Sequence, residues 1–123
     1  MKIETIIVNN IKIAVVSGPD AVITDVQAAL DLMMTVKYET GTDRIALEKS
    51  VLAEEFFILS SGLAGEILQK FVNYHIRLAI YGDFSRYTSK PLRDFIYESN
   101  QGNGVFFVPT QEEAVRRLTE CAL

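Results

Sequence analysis

Two short stretches, IRLAIYG from Ile76 to Gly82 and GVFFVP from Gly104 to Pro109, are apolar almost without a break. Strands of that composition bury themselves in parallel sheets, and parallel neighbours must be joined by long crossovers, usually helical. The chain supplies such crossovers. Between its strand-like runs lie segments with apolar residues at helical spacing, so strands and helices alternate through the last two thirds of the sequence.

Local signals place the elements. Lys2 to Val8 and Lys12 to Ser17 read as strands separated by Asn9-Asn10, a hairpin signal because Asn tolerates left-handed backbone angles. Val26, Ala29, Leu30, Met33 and Val36 predict a helix over about Asp25 to Lys37, with Thr24 and Gln27 as its capping box. Arg44 to Lys49 follows as a strand with Ile45 and Leu47 on one side, while Ser50 to Phe57 is open between a helical turn and a loop. Ser61 to Tyr74 predicts a helix with Leu63, Ile67, Leu68, Phe71 and Val72 as its stripe. Ser89 caps a third helix with Pro91 in its first turn, ended by Asn100 and Gly102. Thr110 and Glu113 form a capping box for a last helix running through AVRRLTECAL, in which Cys121 is a small apolar residue. The sum is an α/β fold in a single domain over residues 1–123. One mixed sheet begins with an antiparallel N-terminal hairpin, continues with parallel strands, and is covered by helices.

Composition excludes several roles. Acidic and basic residues are intermixed at a net charge of −4, which argues against nucleic acid and against a polybasic membrane patch. Apolar runs such as VFFV and FFIL are far shorter than the roughly 20 residues of a spanning helix, and no basic-then-apolar leader opens the chain, so a soluble, cytoplasmic protein is expected. A single cysteine excludes an internal disulfide and a cysteine cage for metal, and His75 is the only histidine. A helix from Ser61 to Tyr74 separates Ser61 from His75 by roughly 20 Å, which rules out a Ser-His pair there. Glu54-Glu55 and Glu112-Glu113 read as helix-start charge and Met33-Met34 as core. The expectation is no catalytic set, no cofactor and no metal.

Two clusters are candidates for function. In LSSGLAGEILQKF, Leu59 to Phe71, two serines and two glycines crowd a helix start, although Gly in a helix costs roughly 0.5–1 kcal/mol relative to Ala. Either Gly62, Ala64 and Gly65 let the first turn press against neighbouring backbone, or the free N–H groups there receive an anion or phosphate. Ser60 or Ser61 reads as an N-cap or as a functional hydroxyl. No G-x-S-x-G elbow, phosphate-binding loop or G-x-G-x-x-G is present. The second cluster is GDFSRYTSK, Gly82 to Lys90, expected at the carboxyl rim where parallel sheets bind ligands. Asp83, Ser85, Arg86, Tyr87 and Thr88 form either a solvated loop or, with Arg86 and Tyr87 bordering the Ser61 helix start, an anion or partner site.

The order strand, Ser60-Ser61-Gly62-Leu63 at a helix start, then a second parallel strand resembles the STAS domain, named for sulfate transporters and anti-sigma factor antagonists. Phe56-Phe57 and Ala64-Gly65-Glu66 resemble a divergent bacterial group of that kind. The resemblance implies phosphorylation at Ser61, the second serine of the motif, by a partner kinase, with Leu59 standing where that family has an Asp. Over nearly its whole length, through RIALEK, LSSGLAGEILQKF and GDFSRYTSKPLRDFIYE, the chain also resembles the uncharacterised bacterial family called domain of unknown function 4180. The expected role is a non-enzymatic STAS-like regulatory domain whose protein partner reads Ser60, Ser61, Gly62, Asp83, Ser85, Arg86 and Tyr87. The alternative is a receptor for a small molecule or anion at the rim formed by the Ser61 helix start and the Asp83 to Thr88 loop. The unpaired edge of the hairpin offers a surface for homodimerisation.

Overall fold

The computed structural model describes residues 1–121; Ala122 and Leu123, the end of the expected last helix, lie outside the described residues. Strands β1 (Lys2–Val8), β2 (Ile11–Ser17), β3 (Arg44–Glu48), β4 (Arg77–Tyr81) and β5 (Val105–Val108) form one sheet in the order β1-β2-β3-β4-β5. β1 is antiparallel to β2, and every later pairing is parallel. Asn9 and Asn10 both adopt left-handed angles, φ 52° and 66°, which is the turn that matches the twist of a two-residue hairpin.

Helices α1 (Val26–Thr40), α2 (Leu63–Asn73), α3 (Lys90–Asn100) and α4 (Gln111–Glu120) complete the chain. Right-handed crossovers between strands in sequential order carry successive helices onto the same face. The core shows this distribution. Ala29, Met33, Ile67, Phe71 and Leu92 from α1, α2 and α3 pack with Val16, Ile45, Leu47, Leu78, Ile80 and Phe107 on one side. Ala114 and Leu118 of α4 cover the other side over Ile13, Val15, Ala46, Ala79 and Phe106. Arg44, only 4% exposed, ties the end of α4 to the sheet by donating to the Leu118 carbonyl.

Several boundaries differ from expectation, each for a local reason. The cap of α1 is Asp25, whose carboxylate accepts the Ala28 N–H at 2.8 Å; Thr24 is not the cap, and Gln27 bonds Asp31 instead. α1 runs on to Thr40 because Gly41, at φ 73°, supplies the left-handed stop. The open segment after β3 resolves into three short 3₁₀ turns, Lys49–Val51, Glu54–Phe57 and Leu59–Ser61, so Glu54 and Glu55 do not begin an α-helix. α2 starts at Leu63 rather than Ser61, and Gly62, at φ 78°, takes the position before it. No atom lies near a Cβ built on Gly62 or Gly65, so close backbone approach does not explain those glycines. Backbone angle explains Gly62. Val72 and Met34 are 54% and 48% exposed rather than core, and Cys121 follows α4 in an extended conformation. Among the described residues no helix is long and apolar enough to cross a membrane.

Two substitutions measure this framework. Ile67 is fully buried, so Ile67→Ala should lower unfolding free energy by about 2–5 kcal/mol. Thr110 Oγ1 accepts the Glu113 N–H at 3.1 Å, so Thr110→Ala should cost about 1 kcal/mol. Urea unfolding curves with unchanged slope would report both directly.

Candidate functional site

An open cleft of about 500 Å³ lies at the carboxyl ends of β2, β3 and β4. Its walls come from the segments that leave those strands: Pro19 and Ala21 after β2, Glu48 to Ser50 at the end of β3, and Tyr81 to Asp83 at the end of β4. Leu52, Glu54, Phe57 and Arg86 close it. A short parallel bridge forms part of the frame, with Ile23 N–H donating to Val51 and Ala53 N–H to Ile23.

Lys49 is held from several directions. Its ammonium donates to the Asp83 carbonyl at 3.0 Å and lies 4.6 Å from the centre of the Tyr87 ring, with Phe57 and Phe84 at 5.8 and 5.9 Å. Such placements are favourable because aromatic faces carry negative potential. Gly82 makes room for this lysine. A Cβ there would sit 2.8 Å from Lys49 Cβ, and its φ of 155° is one that other residues rarely adopt.

On the same tyrosine stands an ion pair, buttressed by the phenol. Arg86 pairs with Glu54 and donates to the Tyr87 hydroxyl at 3.1 Å, while that hydroxyl lies 3.2 and 3.3 Å from the two Glu54 carboxylate oxygens. The Tyr87 ring stacks on Phe57 with centroids 5.0 Å apart. Tyr87 and then Glu54 raise the Arg86 pKa above its ordinary value, so the guanidinium stays charged. The Asp83 carboxylate accepts the Ser85 N–H at 2.9 Å, the local turn that Asp favours, and Ser85 holds its pKa below the usual range. Burial, then the charges of Glu48 and Glu4, push the Tyr81 phenol up. Glu48 is engaged by the Gly18 N–H at 3.0 Å.

The candidate residues from the sequence divide into two groups. Asp83 and Arg86 line the cleft, Ser85 fixes Asp83, and Tyr87 stands behind the wall with Phe57. Ser60, Ser61 and Gly62 are exposed and are not among the residues lining the cleft. Ser61 reaches the site only through the chain: its hydroxyl donates to the Glu55 carbonyl at 2.8 Å and accepts the Leu63 N–H at 3.2 Å. It thus fastens the turn that carries Glu54 and Phe57 to the start of α2. His75 sits at the amino end of β4, opposite the cleft, with φ 58°.

Lys49, Glu54 and Phe57 were not foreseen as a unit. Their segment has neither a helical nor a strand period, so pattern reading leaves it blank. The cluster of two phenylalanines behind two glutamates was the available signal. Among the described residues, no three His, Cys, Asp or Glu side chains are grouped to hold a metal ion. Ser50, the hydroxyl-bearing aliphatic residue of the cleft, donates to the Gly18 carbonyl at 2.6 Å and has no histidine beside it.

No curated protein and no solved structure matches the chain. The family model described as Domain of unknown function (DUF4180) matches residues 8–118, a span that takes in β2 to β5, α1 to α3, most of α4 and every residue lining the cleft, and the chain belongs to that family.

Proposed function

We propose that this domain is a non-catalytic regulatory module that binds a small dipolar molecule, one carrying a carboxylate and an amine, at the carboxyl rim. The observation behind this reading is the cluster in which Lys49 and Arg86 both lie against the Tyr87 ring, with Glu54 paired to Arg86 and Asp83 beside Lys49, at the lining of the cleft. A cleft of about 500 Å³ is of the size that takes metabolites. Three carboxylates, Glu48, Glu54 and Asp83, line it beside two cations, Lys49 and Arg86, and Phe57 supplies an apolar surface. A ligand carboxylate can replace Glu54 on Arg86 at little cost, since solvent screens an exposed ion pair. The released Glu54, with Asp83, then faces the ligand's amine. Specificity comes from the spacing of the two charges.

A thermal-shift panel of free amino acids, dicarboxylates and inorganic phosphate tests this. A fitting amino acid at about 100 times its dissociation constant stabilises by about 2.7 kcal/mol. Arg86→Gln should weaken that ligand at least tenfold while leaving the unfolding transition of the free protein nearly unchanged. Gly82→Ala, which displaces Lys49, should weaken it as well. A flat panel, or equal affinity in the Arg86 variant, rules the receptor out.

A second reading, from the Ser60-Ser61-Gly62-Leu63 resemblance, is a STAS-like switch in which a protein partner reads phosphorylation at Ser61. The exposed hydroxyl and its bond to the Glu55 carbonyl favour it. Phosphorylation replaces the donor proton with about −1.5 to −2 charges, so the bond to that carbonyl is lost. The turn Glu54–Phe57 would loosen, and the cleft wall with it. Ser61→Ala removes the same bond without adding charge. Hydrogen exchange at Phe56 and Phe57 should quicken in Ser61→Ala and in Ser61→Asp, and a partner captured from the native host extract should discriminate Ser61→Asp from wild type. Unchanged exchange in both variants together with identical partners would end the switch reading.

A further inference from the structure

The sheet finishes its two edges differently. On β5, four residues long, the Asn100 side chain accepts the Phe107 N–H at 2.7 Å and donates to the Phe107 carbonyl at 3.0 Å. A carboxamide there takes the place of a further strand. β1 is seven residues long and pairs only with β2. Among the described residues no side chain plugs its outer side. Long open edges invite pairing, and proteins ordinarily protect them.

The register identifies which groups are open. Val8 and Ile11 flank the two-residue turn, so they exchange both backbone bonds, and alternation gives Ile6, Glu4 and Lys2 the same role. Lys12 has the opposite parity, and its carbonyl is turned toward Thr42, which precedes β3 and donates to it at 2.6 Å. The N–H and C=O groups of Ile3, Thr5 and Ile7 therefore point away from the sheet. Ile7 is 64% exposed, whereas Ile3 is partly buried against the core beneath α1 and α2.

We propose that this edge is a self-association surface on which a second copy of the chain adds its own β1 antiparallel, with the two-fold axis through Thr5. The sequence is self-complementary in that register. Thr5 meets the partner's Thr5, and Ile3 meets the partner's Ile7 on both sides of the axis, so all three outward residues of each copy are paired. Sliding by two residues leaves fewer of these pairs. A parallel arrangement would bond residues of one copy between those of the other, so the two copies could not contribute equivalent pairs about a two-fold axis. Charges agree with the antiparallel choice. Lys2 pairs with Glu4 in its own chain at 3.4 Å, and the register sets them opposite the partner's Val8 and Ile6, so no like charges face directly. The exposed Ile7 gains an isoleucine neighbour. A seam of this length is smaller than the roughly 800 Å² per partner of a standard interface, so the dimer is weak and reversible. It uses none of the residues that line the cleft and stands apart from the receptor reading.

Sedimentation velocity from about 10 μM to about 1 mM should show a concentration-dependent dimer. Thr5→Pro removes an outward N–H without touching the ladder to β2, and Ile7→Lys places a charge on the seam. Each should raise the dimer dissociation constant at least tenfold while circular dichroism stays native. Crosslinking fixes the register. In a Cys121→Ser background, Thr5→Cys sits about 5.5 Å from its symmetry mate and should oxidise readily to a disulfide dimer. Ile7→Cys, about 14 Å from its own mate, should not. A wild-type chain that stays monomeric, a dimer that survives both edge variants, or Ile7→Cys crosslinking as fast as Thr5→Cys would each overturn the proposal.

Discussion

A parallel ladder leaves its strands nowhere to meet water, and the burial of β3 and β4 on both faces governs the rest of this fold. Ile45, Leu47, Leu78 and Ile80 face α1, α2 and α3, while Ala46 and Ala79 between them face α4. The two faces differ in bulk. Under α4 the sheet presents alanines, and α4 answers with Ala114, so a ten-residue helix can lie close to the strands and seal them. Three crossovers on one side follow from the sequential strand order together with the fixed handedness of each crossover, and α4, which leads to no further strand, covers the face they leave open. Deep side chains such as Phe71 and Met33 belong to the thicker layer.

That arrangement also decides where a cleft can open. The chain leaves the ends of β2, β3 and β4 toward the same layer, and the residues that make each departure are drawn apart before their helices begin. Between β3 and α2 the departure takes 14 residues, Lys49 to Gly62, folded as 3₁₀ turns in place of a direct entry into helix. Their apolar side chains, Val51, Phe56 and Phe57, are buried, while Lys49, Glu54 and Glu55 remain at the surface. A segment stapled by buried aromatics, with charges set on its outer side, can hold a polar wall over an apolar support. Tyr87 completes it from the loop after β4, its ring on Phe57 and its hydroxyl on Glu54.

The architecture was legible in the sequence because it is written in periodicity. The unbroken apolar runs at Leu78 to Tyr81 and Val105 to Val108, the hairpin at Asn9-Asn10, and the Thr110 cap of α4 all appear where their local chemistry places them, although the Glu113 carboxylate turns to Arg116 and leaves the capping box half made. The site was legible only in half. Asp83 and Arg86 lie on a loop whose position follows from the strand before it, so their place at the rim could be read. Lys49, Glu54 and Phe57 occupy irregular backbone, where side-chain direction is set by tertiary packing and by no period. The start of α2 was misplaced for a different reason. A helix start and a 3₁₀ turn share the same small and polar residues, and here the left-handed Gly62 separates the two, moving Ser61 out of the capping position that its sequence context suggested.

One bond connects the two regions that the sequence had joined by proximity. Ser61 touches neither Arg86 nor Asp83, yet its hydroxyl holds the Glu55 carbonyl, next in the chain to the glutamate that pairs with Arg86. The turn is anchored by the buried Phe56 and Phe57, and the Ser61 bond ties its Glu55 carbonyl to the start of α2. On the proposed readings, a change at Ser61 and a ligand on Arg86 would act on the same element, one by loosening it and the other by taking its partner away. Coupling of that sort is reciprocal by thermodynamic necessity. If a ligand does enter the cleft, whatever state of the Glu54–Phe57 turn favours its occupation would itself be favoured by occupation, and the serine and the cleft would be two handles on one segment.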